Sequence, residues 1–212
     1  MSPGKKTTLT RGQRRAALVD VAADLFARKP YDDIYISEIA EAAGVAHGLL
    51  FYHFKDKRGL FLAVLEQMLG EILELHKSRE DDDSRESRLR GLLRRHIEYR
   101  RRHVHTVLAM MRADRQDPEA DELFEQGRRA GAEFMLDLLS LTTEPLPPLR
   151  IAVRGVMGML DEVTIDWLTH DCDLDVDELE QLVYAAAVAI LASVQSAHPD
   201  ICFVVSELRL TA

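Results

Sequence analysis

A chain of 212 residues, 47% hydrophobic and 30% charged, is long enough to bury one large core or two small ones, and its low aromatic content of 6% with abundant Ala, Leu, Glu and Arg favours helices over sheets. The net charge of -9 argues against nucleic acid until its distribution is read: residues 1–58 hold ten Lys/Arg against seven Asp/Glu, so a basic end sits on an acidic body. Two cysteines, Cys172 and Cys202, are too few for a disulfide framework or a cysteine-rich metal site, and fit a reduced, cytoplasmic protein.

No apolar core follows Lys5-Lys6, so no secretory signal is expected, and no stretch approaches the roughly 20 apolar residues of a membrane span. Residues 1–9 read as a flexible basic arm. Helix one is predicted to begin after Thr10, which has capping-box spacing to Gln13, and to carry Ala17, Leu18, Val21, Ala22, Leu25 and Phe26 on one face until Pro30 stops it. A short helix two covers Ile36 to Ala43, Gly44 supplies a left-handed turn, and a short helix three runs from Ala46 or His47 to His53. Asp56 caps helix four, with Leu60, Phe61, Val64, Leu65, Met68, Leu69 and Ile72 at helical spacing. Arg79 to Arg88 reads as a charged loop, with Asp83 or Glu86 capping helix five; a break near His103 starts helix six. Asp117-Pro118 is an N-cap followed by a first-turn proline, helix seven runs to about Leu141, and Thr142 to Pro148 is a proline-rich linker. Helix eight spans Leu149 to Thr169 and helix nine Asp175 to Ala197; the tail from Ile201 to Ala212 has no legible structure.

The informative segment is Ile36 to Phe54. Two short helices around one glycine make a helix-turn-helix when the crossing residues are small, and Ala40 and Gly44 meet that need. Ile39, Val45 and Leu50 then pack against Leu25 and Phe26, leaving the second helix free to enter a major groove. Lys5, Lys6, Arg11, Arg14 and Arg15 either follow the DNA backbone or minor groove or form a merely solubilising arm.

With its flanks, this segment resembles the TetR family of transcriptional repressors, through Tyr31, Ile36, Ile39-Ala40, Ala43-Gly44-Val45, Gly48-x-Leu50-Phe51, His53-Phe54 and Lys57. The resemblance covers about residues 11–68. It implies that His47, Gly48 and Leu49 read bases, that His53 and Lys57 meet phosphates, and that Arg11 belongs to the DNA-facing set. Phe51 stands where the family has tyrosine, and Tyr52 offers a hydroxyl one position on. Ile34-Tyr35 and Ala46 replace the usual hydroxyl caps of the two short helices, each worth about 0.5–2 kcal/mol.

The resemblance further implies an effector pocket within helices four to eight and a homodimer through helices eight and nine. Helix nine carries a broad apolar stripe, and Gly155 and Gly158 let helix eight approach a neighbour closely. Candidate pocket residues are His96, Arg100, His103, Met110, Met111, Phe134, Met157, Asp161 and Trp167; Met-rich walls suit irregular apolar ligands. His96, Arg100 and His103 fall at i, i+4 and i+7, one face that either anchors a polar group or is solvated. The eight arginines from Arg85 to Arg102 read mainly as a surface run, some paired with acids in 117–125 or 161–180.

His103-x-His105 does not share a helix face, so chelation is not expected there. Asp171, Asp173, Asp175 and Asp177 start like a calcium loop, but Val176 and Leu182 stand where glycine and a bidentate acid are needed. With no hydrolase, zincin or phosphate-loop motif, neither an enzyme, a metal nor a cofactor is expected. The expected fold is all-α: an N-terminal three-helix helix-turn-helix DNA-binding domain over 1–55, and a larger C-terminal effector-binding and dimerisation domain over 56–212, about nine helices in all. The expected partners are double-stranded operator DNA, a small effector and a second copy, with no membrane. Repressor or activator stays open, as does a helical ligand-binding or partner-binding protein with a vestigial helix-turn-helix.

Overall fold

The computed structural model describes residues 10–77, 79, 82–113, 117–141, 145–201 and 208, the side chains of 111–113 excepted. Among these residues lie nine α-helices and no strand. They are α1 (Arg11–Arg28), α2 (Ile36–Ala42), α3 (His47–Phe54), α4 (Lys57–Leu75), α5 (Arg85–Arg102), α6 (Val104–Ala113), α7 (Pro118–Leu138), α8 (Pro147–Thr169) and α9 (Val176–Ala197), with a 3-10 turn at Tyr31–Asp33.

Helix starts follow local hydrogen-bond chemistry. Thr10 Oγ1 accepts from Gln13 N–H at 3.2 Å and Gln13 Oε1 from Thr10 N–H at 2.9 Å, the expected capping box. Asp56 accepts from Gly59 N–H at 2.7 Å, and Asp117 opens α7 ahead of Pro118. α5 departs from expectation: its cap is Ser84, not Asp83 or Glu86. Ser84 and Ser87 exchange backbone and hydroxyl hydrogen bonds at 3.0 and 2.9 Å, while Asp83 accepts from the Ser87 hydroxyl at 3.1 Å. α8 starts at Pro147 rather than Leu149, because two prolines without N–H groups suit a first turn whose N–H groups have no helical acceptor. α7 stops at Leu138, short of Leu141: Ser140 turns to φ 58°, and Leu141 N–H donates to Leu136 at 2.9 Å.

α1–α3 form the expected three-helix head. Ile39, Leu50 and Phe26 are buried there, with Val45 and Leu25 half-buried at the edge. Gly44 takes φ +63°, the left-handed conformation that the turn requires. An aromatic trio joins head and body: Phe26, Tyr31 and Phe61 have ring centres 5.7, 5.2 and 4.9 Å apart. The core therefore continues through α4, which packs on both α1 and α7. α9 packs on α5 and α8. It corrects one expectation, since an 18-residue window of it reaches mean hydropathy 1.3, long and apolar enough to cross a membrane; buried Leu179, Val183, Tyr184, Ala187, Val188 and Leu191 make it a core helix. Ile201 is half-buried and Leu208 buried, while the rest of the tail lies outside the described residues.

Candidate nucleic-acid interface and enclosed cavity

α3 presents one face inward and one outward. Leu50 and Phe54 are buried, four residues apart; Tyr52 is 64% and Phe51 45% exposed, and His47 and Gly48 are also exposed. Leu49 and His53 are half-buried at the flanks. Neither α2 nor α3 has a side-chain cap, since Tyr35 and Ala46 hold those positions, so the first N–H groups of α3 have no capping side chain. An ideal Cβ on Gly48 would meet nothing within 4 Å, so bare backbone faces outward there.

Basic residues flank this face. The Arg11 guanidinium lies 5.2 Å from the Tyr52 ring centre, and Arg15 5.1 Å from that of Phe54. Lys57 Nζ sits 4.2 Å over Tyr31; partial burial lowers its pKa while Asp32 and Asp33 oppose that shift. Desolvation, then the charges of Arg11, Arg15 and Arg14, lower the His53 pKa. Lys5 and Lys6 lie outside the described residues. Arg58, beside Lys57, reaches back into the body: Nε to Asp117 at 2.6 Å and Nη2 to Glu119 at 2.6 Å, tying the start of α4 to the start of α7.

A cavity of about 60 Å³ lies between α4, α5, α6, α7 and α8. Its walls are mainly apolar, with Leu65, Met68 and Ile72 from α4, Val107 and Met110 from α6, and Met157 from α8. One end is polar. Asp161, 5% exposed, accepts from Arg100 Nη2 at 2.7 Å and from Arg128 Nε at 2.8 Å. Arg128 also pairs with Glu125 at 2.9 Å, which in turn holds Arg154 at 2.7 and 2.8 Å. The Tyr99 hydroxyl donates to Glu71 at 2.7 Å, and burial with this carboxylate pushes the phenol pKa upward. His96 also lines the cavity; its pKa is held well below the usual value by burial, then by Arg100, His76 and Arg95.

The structure thus gathers His96, Arg100, Met110, Met157 and Asp161 around one cavity. Three other expected lining residues lie elsewhere. His103 ends α5 with φ -117° and ψ 32°, so it leaves the helical phase that would have placed it below His96, and it stacks on Tyr99 at 4.4 Å. Phe134 turns toward His76, ring centres 5.8 Å apart, under the Arg88 guanidinium. Trp167 is buried at the far end of α8, its indole N–H donating to Leu174 at 2.9 Å. The Met111 side chain lies outside the described residues. Sequence reasoning missed Tyr99, Arg128 and Gly131; Gly127 and Gly131, one turn apart on α7, were the available signal for an inward face. The arginine run of α5 is largely paired: Arg90 with Glu180 at 3.0 Å, Arg88 with Asp137 at 2.8 Å, and Arg94 with Asp177. Among the described residues no three His, Cys, Asp or Glu side chains cluster as a metal site would need.

Comparison with known proteins points to the same end of the chain. Residues 18–64 match the model of the bacterial regulatory proteins of the tetR family. The chain is 38% identical over 71 residues to the HTH-type transcriptional regulator AcrR of Shigella flexneri, covering 34% of this chain and 33% of that one. It is 26% identical over 155 residues to the regulator BetI of Serratia proteamaculans (strain 568), covering 70% and 77%. The chain thus aligns with about a third of AcrR and three quarters of BetI. In three dimensions it is similar to a tetR-family transcriptional regulator from Streptomyces coelicolor, with TM-score 0.83, 24% identity, and 94% and 88% of the two chains covered.

Proposed function

We propose that the chain, whose residues 18–64 match the model of the tetR family of bacterial regulatory proteins, is a cytoplasmic transcriptional repressor that dimerises, binds operator DNA through α3, and is released by a small, largely apolar effector. The observation that carries the reading is the outward face of α3: bare backbone at Gly48 and exposed His47, Phe51 and Tyr52, flanked by Arg11, Arg15 and Lys57 on a buried, rigid support. His47, Gly48 and Leu49 lie at the N-terminal end of the helix, where base edges are met; Phe51, Tyr52, His53, Lys57 and Arg11 flank it toward phosphates.

Pairing through α8 and α9 is supported by what those helices leave uncovered. Ile151 is 63% and Leu182 56% exposed, and a Cβ at Gly155 or Gly158 would meet nothing. Apolar and small residues on two adjacent helices suit a four-helix interface with a second copy. Such a dimer places two recognition helices about 34–36 Å apart, one turn of duplex. The effector reading rests on the cavity. Its present volume of about 60 Å³ suits water-sized occupants, whereas effector sites run to several hundred Å³. A bound effector therefore displaces Met68, Met110 and Met157 and presses on α4, whose first turn carries Lys57. A state with α4 shifted binds effector better and DNA worse, which is the coupling that release requires.

A mobility-shift assay with DNA from around the protein's own gene tests the reading. Retardation at low salt is expected. Tyr52→Ala with Lys57→Ala should weaken binding to every sequence and flatten its salt dependence, with folding intact. Absence of retardation by any nearby promoter would sink the proposal, and unchanged affinity in the double variant would remove those two residues from it.

A further inference from the structure

The cavity contains one group that no hydrogen bond among the described residues engages. His96 is 8% exposed, yet among the described residues neither Nδ1 nor Nε2 has a hydrogen-bond partner. Buried side-chain nitrogens are almost always bonded, and each one left unbonded carries a desolvation cost. Behind it stands His76, ring centres 5.1 Å apart and roughly perpendicular, its Nδ1 3.0 Å from the Ile72 carbonyl and its Nε2 likewise unpartnered. Near His76, the missing side chain of Gly131 makes room for Met157: a Cβ there would lie 2.7 Å from Met157 Sδ and 3.9 Å from His76 Nε2.

The neighbouring groups are already engaged. Asp161 is held between Arg100 and Arg128, and the Tyr99 hydroxyl is bonded to Glu71. An anionic ligand would have to break the Arg100–Asp161 pair to gain a cation, and a cationic one would meet a carboxylate already neutralised twice. Burial and adjacent positive charge keep the His96 ring neutral, so it offers one N–H and one lone pair. A hydroxyl, being donor and acceptor at once, complements such a ring; apart from the paired polar groups, the remaining contacts are aliphatic side chains, methionine thioethers and the Phe124 ring.

We propose that His96 is the polar anchor of this cavity and that the occupant is an uncharged, compact, largely apolar molecule bearing a hydroxyl group, which hydrogen-bonds the His96 ring while its apolar body displaces the methionines. The proposal rests on the reading of this cavity as the effector site and deepens it by naming the ligand's chemistry.

Phenol, toluene and benzoate form a probe set with one ring and three polarities; phenol and toluene are near-isosteres. Each is titrated into the full-length protein, without DNA, by calorimetry and by following the histidine ring nitrogens in NMR. Phenol should bind, shift the His96 ring resonances, and exceed benzoate in affinity. In His96→Phe, which keeps a ring but removes its hydrogen bonds, the phenol-to-toluene affinity ratio should fall about tenfold, the value of one buried hydrogen bond. Near-ultraviolet circular dichroism confirms that the variant is folded, and His96→Leu serves as a second apolar replacement should the ring strain the site. An unchanged ratio in both replacements, tighter binding of benzoate than phenol, or no binding of any probe overturns the proposal. These titrations need no operator, so a failure to bind DNA would remove the regulator reading and leave this result legible.

Discussion

Gly48 offers the sharpest separation of folding from DNA contact. It is the second residue of α3, and an added Cβ would meet nothing within 4 Å. Nothing inside the protein therefore requires glycine there. Alanine should even help: glycine inside a helix costs roughly 0.5–1 kcal/mol relative to alanine, and the first turn sits at the low end, about 0.5 kcal/mol. For a chain of this length that raises Tm by about 1–2 °C. On DNA the sign reverses. If α3 lies in the major groove with its N-terminal end toward the bases, the new methyl group occupies the space through which the backbone approaches them. Loss of a single good base contact, about 1–3 kcal/mol, weakens operator binding roughly tenfold or more. Thermal melts and fluorescence anisotropy with one operator duplex, at one salt concentration, read both effects. A variant that is more stable and binds DNA as tightly as the original would refute the placement of Gly48 against a duplex; a destabilised variant would refute the claim that its surroundings are open.

Three other outcomes test separate parts of the structure. Leu182→Glu, on the exposed side of α9, should give a folded monomer by sedimentation velocity, because a carboxylate replaces apolar surface at the centre of the proposed interface; persistence of the original dimer would move the interface elsewhere. Asp161→Asn leaves Arg100 and Arg128 without their shared carboxylate. Breaking such a buried pair costs about 3 kcal/mol at the lower end, and Tm should fall by about 6–12 °C; a fall under about 2 °C would mean the arginines find other partners. The His96 pKa is depressed on folding from an unfolded value of 6.5. The unfolded chain thus binds the extra proton: the stability is fully present above 6.5 and is lost as pH falls toward the folded value. His96→Phe should remove up to about 1.4 kcal/mol per pH unit from the slope of unfolding free energy between pH 6 and 5, measured by urea titration; an identical slope in the variant would show that His96 is hydrated in the native state.

The head was legible because its signals are local. Capping spacing at Thr10 and Gln13, the αL glycine at 44, the Asp56 cap and the alternation of buried and exposed residues in α3 all lie within a few residues of one another. Where local signals competed, the choice failed. Asp83, Ser84 and Glu86 all offer oxygen near the start of α5, and only the reciprocal geometry with Ser87 selects Ser84. Pro147-Pro148 reads equally as a linker or as a first turn, and the apolar residues that follow decide for the turn by docking Leu149 in the core.

The cavity was half legible, and the reason is sequence distance. Heptad-like spacing placed His96 and Arg100 on one face, but it extrapolated to His103 past the point where α5 ends. The role of Arg100 is set by Asp161, 61 residues away, and Asp161 is shared with Arg128, a further 33 residues from it on another helix. Each of these groups, taken alone, reads as a solvated charge. Their meeting removes the free charge from the cavity and leaves His96 as the polar group without a partner among the lining residues. Methionine content suggested an apolar occupant, and the paired arginines argue against a charged one. The chemistry of recognition thus follows less from which polar residues face the cavity than from which of them the protein has already satisfied.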